Sequence, residues 1–123
     1  MHDKYNQSIY ASTARTATPT SVSIDDRRVK GIHVVISATA ASATPSVVPT
    51  IDGWDPLSET WYNILTGAAI TGVSAVILRV HPDLLAVTNL AAGDFLPARY
   101  RVVMTHGDAD SITYSVGINS VTE

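Results

Sequence analysis

The 123-residue chain has no cysteine, a formal net charge of -3, and eight Lys and Arg against eleven Asp and Glu. Those values exclude a disulfide scaffold and a thiolate metal site, and the lack of a basic stripe argues against a nucleic-acid partner. No apolar run approaches the ~20 residues of a membrane-spanning helix, and the length suits one domain with a core of its own.

Only 15% of the residues are charged, against about 25% in a typical soluble domain. Val, Ile and Thr supply nearly a third of the chain, and β-branched side chains suit pleated, half-buried surfaces. A surface short of charge is poorly defended against association. The composition therefore points to an all-β protein that lives in contact with copies of itself or with partners.

The first residues, "MHDKYNQSIY", lack the basic and then apolar pattern of a secretory signal. They read as a natural start and as assembly in the cytoplasm. Residues 1–19 are polar, with little to bury alone, and read as an N-terminal arm able to order as a strand against a neighbour. Tyr5, Ile9 and Tyr10 are its candidate contacts. "SIYASTART" and "SVSID" are short candidate strands. "KGIHVVISATA" sets Ile32, Val34, Ile36 and Ala38 on one face and His33, Val35, Ser37 and Thr39 on the other, the period of a half-buried strand. In "SVVPTIDGW", Pro49 suggests an edge strand or a bulge.

"TWYNIL" and "SAVILRV" continue the alternation, with Val76, Leu78 and Val80 as an inward row. The long connection from Pro82 to Pro97 suggests a short helix capped by Asp83 and stopped by Gly93. A long crossover between strands suits a Greek key or jelly roll. "ARYRVVMTH" and "SITYSVGINSV" then read as two strands of a hairpin around "GDADS". The expected architecture is a single antiparallel β-sandwich of jelly-roll or Greek-key type over residues 20–123, with about seven or eight strands.

Candidate chemistry is sparse. His106, Asp108 and Asp110 cluster near one turn, but Asp-Ala-Asp stands alone, without the six or more oxygens a calcium loop assembles. Short acidic side chains there fit a turn tip that bonds its own backbone. No two of the four His have the spacing of a zinc site, no nucleophile elbow or P-loop occurs, and nothing calls for a metal, a cofactor or catalytic residues. Asp52, Asp55 and Glu59 could in principle act as an acid and base pair, but beside "GWDPLSETWY" they read as solvated turn carboxylates. Trp54, Trp61 and Tyr62 admit two readings: a sugar-stacking face, or cross-strand packing that seals the sandwich.

The ordered run "VVISATAASATPSVVPTIDGWDPLS", "YNILTGAAITG", "LRVHPDL", "LPARYRVVMTH" and "DSITYSVGINSV" resembles small structural proteins of tailed bacteriophages, of the head decoration or cement type. The likeness covers roughly Arg28 to Val121. Leu57 and Glu59-Thr60 depart from the polar residue or Gly usual after the Asp-Pro turn. The resemblance implies a non-enzymatic virion component, with the major capsid protein or other virion proteins as partners. A homo-oligomer, a trimer among the options, suits such a role, and the charge and apolar-run patterns above lead to the expectation of no nucleic-acid or membrane partner. The turn tips and the arm are its candidate contacts. The alternatives are a carbohydrate-binding module, either free or on a host-recognition structure, or a neck or tail component.

Overall fold

Ile32, Val34, Ile36 and Ala38 are all buried, and they lie on β3 (Gly31–Ala41), the middle strand of a five-stranded sheet. The computed structural model describes the backbone of residues 4–122 and the side chains of residues 6–122. The described residues form nine strands in two sheets. The first has the spatial order β1 (Lys4–Arg15), β9 (Ile112–Val121), β3, β6 (Ser74–Val80) and β7 (Ala91–Ala92). The second has the order β2 (Val22–Asp25), β8 (Arg99–His106), β4 (Val47–Asp55) and β5 (Thr60–Thr66). All neighbours are antiparallel except β6 and β7.

With the two-residue β7 set aside, eight strands alternate between sheets as the chain advances, and only β4 to β5 stays within one sheet. That interleaving is the jelly-roll order. The fold is a single-domain antiparallel β-sandwich, as the alternation predicts. One inner face contributes Ile32, Val34, Ile36, Leu78, Val80, Ile112, Tyr114 and Val116; the other contributes Val47, Ile51, Tyr100, Val102 and Met104. Each such side chain stabilises the fold by about 1.5–3 kcal/mol relative to exposure, offset by the entropy of ordering the chain.

Three local expectations are corrected. β8 and β9 are not a hairpin: β8 pairs with β2 and β4, whereas β9 pairs with β1 and β3. Their apolar rows therefore face each other across the core instead of lying side by side. Residues 107–111 carry the chain from one sheet to the other.

The expected helix after Asp83 does not form. The Asp83 N–H donates to His81 Nδ1, and Val87 and Ala91 exchange backbone bonds around a tight turn in which Asn89 takes a left-handed φ of 64°. This lets Arg79 and His81 N–H groups bond the carbonyls of Leu90 and Ala92, so β7 covers the free edge of β6. Edge satisfaction outweighs the local helical signal.

Pro49 lies on an internal strand. Its carbonyl accepts from Gly67 N–H just past the end of β5, and the flanking Val47 exchanges bonds with Ile70 on that same side. The nitrogen thus faces a position where the regular ladder has ended and no donor is needed. The β4–β5 irregularity falls two residues on, between Ile51 and Asp52.

The segment read as an arm carries β1, which pairs along β9 of its own chain from Lys4↔Val121 to Arg15↔Ile112. Two register shifts, at Ser8/Tyr10 and Tyr10/Thr13, each insert one extra residue in β1. Such bulges bend an edge strand away from further pairing.

Candidate functional site

The jelly-roll path gathers four connections at one end of the sandwich and three at the other, and the candidate residues divide between these ends and the outer faces.

At the first end, the 107–111 crossover is tied to the loop after β3. The Thr44 N–H and hydroxyl donate to Asp110 Oδ2 at 3.2 and 3.4 Å, and Gly107 N–H donates to the Ser46 carbonyl. Asp110 N–H donates to Asp108 Oδ1 at 3.1 Å. At this acidic tip Asp108 thus bonds its own turn, as expected of it, while Asp110 adds a tie to the loop after β3 that was not expected. Among the described residues no three His, Cys, Asp or Glu side chains converge as a metal site would require.

Beneath that tip lies a cluster the sequence does not announce. Arg15 places its guanidinium 4.6 Å from the Tyr114 ring centre and 5.3 Å from that of Tyr10. His106 Nε2 lies 2.9 Å from the Tyr114 hydroxyl, and the Tyr10 hydroxyl donates to the Thr20 carbonyl at 2.8 Å. Tyr10, a candidate contact residue, is therefore in the core and only 8% exposed. Ile9 is half-buried against that core. Tyr5 pairs in register with Ser120, and its side chain lies outside the described residues.

Burial pushes the Tyr114 phenol up to about 12, against the opposing pull of Arg15. Burial, reinforced by the Arg15 charge and opposed by Asp108, lowers the His106 pKa below its ordinary value. In the window between that lowered value and the unfolded pKa near 6.5, the unfolded chain binds more protons than the folded one. His106 should therefore make the melting temperature fall as pH drops below about 6.5, and His106→Gln should flatten that slope. Calorimetric scans from about pH 8 to pH 5 check it, and an unchanged slope in the variant would reject the assignment.

On the outer face of the four-stranded sheet, Trp54 and Trp61 are directly opposed on β4 and β5, 5.0 Å apart and tilted by 59°. They pack cross-strand, as one of the two readings expected, but on the outside and half-buried. Arg101 lies over the Trp61 ring at 4.3 Å and pairs with Asp52 at 3.1 Å; Arg99 lies 5.9 Å from the Trp54 ring and pairs with Asp25 at 2.7 Å. Each indole thus already has a guanidinium against it. Asp55 is held below the usual carboxylate range by the Ser58 hydroxyl and the Leu57 N–H, a turn carboxylate with its oxygens engaged.

Tyr62 is 43% exposed and leans over Gly53, where a Cβ would come within 2.6 Å of the Tyr62 ring and 2.7 Å of Pro97. Glycine there lets Tyr62 and Pro97 close the second end. Around that end stand Leu57, 93% exposed, and Phe95, 65% exposed. Neither is an evident contact residue from sequence alone, because both sit in turn-rich segments where period-two patterning has nothing to say.

Fold and surface together define a jelly-roll β-sandwich in which Asp25, Asp52, Asp55, Asp108 and Asp110 are each engaged in a turn, a loop tie or an ion pair. No protein-family model matches the chain, and no curated protein is similar to it in sequence. Among solved structures it is similar to the SPBc2 prophage-derived protein YomS, with a TM-score of 0.58 and 9% identity over 98% of this chain and 95% of that one. It is also similar to VP2 of an infectious bursal disease virus subviral particle, with a TM-score of 0.59 and 13% identity over 99% of this chain. A chain of the infectious bursal disease virus Gt strain gives a TM-score of 0.53 and 14% identity over 98%. This chain spans 33% and 32% of those two viral chains. At such identities the likeness is one of fold.

Proposed function

We propose that this protein is a non-enzymatic structural component of a bacteriophage virion, and specifically a decoration or cement protein on the capsid exterior. The observation that carries the reading is the end-to-end match in fold to a prophage-derived protein, 98% of one chain against 95% of the other. The jelly roll shared with a viral VP2 chain is consistent with it. So is a chain with only 15% charged residues, which suits weak contacts multiplied over many copies. The partners on this reading are the major capsid protein and neighbouring copies of the chain, as a trimer or another small oligomer. Its place is in the virion, assembled in the host cytoplasm.

The test is to add purified protein to stripped, expanded phage heads. Saturable binding at hundreds of copies per head, with a raised head melting temperature, is the expected outcome. Co-purification with tails or a portal at about a dozen copies would replace the decoration role with a neck or tail role. Glycan-array binding abolished by Trp54→Ala or Trp61→Ala would overturn both.

A further inference from the structure

Gly117 lies in the interior of β9, the strand between β1 and β3, and the fold itself gives no reason for a glycine there. Its φ is not positive, and a Cβ built on it would meet nothing closer than the Gln7 carbonyl oxygen at 3.8 Å. A glycine weakens a strand interior, and it often marks a place where a ligand approaches the backbone. The alternation that buries Tyr114, Val116 and Ile118 turns Ser115, Gly117 and Asn119 outward. Over Gly117 the outer face of the five-stranded sheet carries a hollow of about 450 Å³, with Asn6, Gln7, Val35, Ser115 and Asn119 in its lining. A second hollow of about 560 Å³ adjoins it, shares Asn6 and Asn119, and reaches over Gly31 to His33 and Leu84.

No Lys, Arg, Asp or Glu lines either hollow. The charged neighbours are few. Lys30 next to Gly31, Arg79 opposite His33 and Asp83 next to Leu84 stand beside the second hollow, outside its lining. On β1, Arg15 is engaged with the carbonyls of Tyr114, Ala11 and Thr13, and the Lys4 side chain lies outside the described residues. The hollow over Gly117 therefore offers amides and hydroxyls. Among the described residues, the side chains of Asn6, Gln7, Ser115 and Asn119 have no hydrogen-bond partner.

We propose that the hollow over Gly117 binds a neutral sugar, whose apolar ring face lies on Gly117 and Val35 and whose hydroxyls bond Asn6, Gln7 and Asn119. The lining selects this occupant. A sugar hydroxyl both donates and accepts, and so does a carboxamide. A phosphate, sulfate or sialic carboxylate would find no cation in the lining, and a metal ion would find no carboxylate. A wholly apolar ligand would strip water from the amides and return no hydrogen bond. An extended peptide would need a free strand edge, but β9 and β3 each have a strand on both sides. The site lies on the opposite sheet from Trp54 and Trp61. The proposal goes beyond the virion reading and does not depend on it.

The experiment probes an array of neutral hexose and N-acetylhexosamine oligosaccharides, printed beside sialylated and sulfated ones. The whole protein is compared with Gly117→Val, Asn119→Ala and Trp54→Ala. Valine suits a strand and fills open space, so Gly117→Val should melt no lower than the parent. Asn119 is exposed, so its variant should melt within a degree or two of the parent. The expected result is binding to neutral oligosaccharides that falls at least about tenfold in Gly117→Val and in Asn119→Ala. Trp54→Ala should bind as the parent does. If Gly117→Val folds poorly, Asn119→Ala decides alone. No binding, a preference for sialylated or sulfated glycans, undiminished binding by Asn119→Ala or by folded Gly117→Val, or loss in Trp54→Ala would overturn it. Self-association of the parent that disappears in Gly117→Val would also overturn it, because the occupant would then be a second copy.

Discussion

Replacing Tyr114 by Ala is expected to lower the stability of the domain by about 3–5 kcal/mol, the range for truncating a buried aromatic ring. Tyr114 is 1% exposed on an inner strand, with β3 opposite it on one side and β1 on the other. Its ring lies under the Arg15 guanidinium and 5.8 Å from the His106 ring. The substitution removes a large apolar surface and also strips contacts from a cation and a neutral imidazole. Tyr114→Phe keeps the ring and loses only the bond to His106, which should cost about 1 kcal/mol. Urea unfolding near pH 7.5 separates the two. Similar costs for both variants would mean that the hydroxyl, and not the ring, carries the residue's contribution. Raising the pH gives a further check, since a phenol pushed up to about 12 in the fold and near 10 when unfolded loses its stabilising contribution as pH climbs through that interval.

How legible this was from sequence depends on which interaction is asked about. Period two identifies faces: the row at Val76–Val80 points inward as expected, and the alternating rows at Ile32–Ala38, Val47–Ile51, Tyr100–Met104 and Ile112–Val116 prove to be core as well. It does not identify partners. β8 and β9 are adjacent in sequence, apolar on alternate residues and joined by a short turn, yet the chain sends them to opposite sheets. A hairpin and a crossover both satisfy the same inward rows, and the choice is made by strands β3 and β4, far earlier in the chain.

The candidate residues follow the same division. Asp108 accepts from the Asp110 N–H within its own turn, so turn chemistry sufficed to read it, but Asp110 also holds the loop after β3 through Thr44, a contact that left no local mark. Trp54 and Trp61 flank a four-residue turn, so their cross-strand contact was legible, but the arginines against them come from β8 and left no local mark.

Arg15→Ala is expected to cost about 2–3 kcal/mol, more than a surface arginine ordinarily contributes. Between Tyr10 and Thr13 the β1–β9 ladder carries an extra residue. The Arg15 guanidinium donates to three carbonyls around it, those of Tyr114 and Ala11 at 2.7 Å and of Thr13 at 3.3 Å. One planar fork thus spans both strands across the bulge while its face lies on two tyrosine rings, a geometry a lysine ammonium does not reproduce. Arg15→Lys should therefore recover little of the loss. The damage should also be local, because β1 is an edge strand held by β9 alone. Hydrogen exchange should show the amides of residues 6–15 losing protection well before those of β3 and β8, as expected when a peripheral element opens sub-globally. Uniform loss across both sheets would mean that β1 is integral to a single cooperative unit. Selective release would mean that a single side chain decides whether residues 4–15 stay docked on their own sandwich or become free to pair with a neighbour.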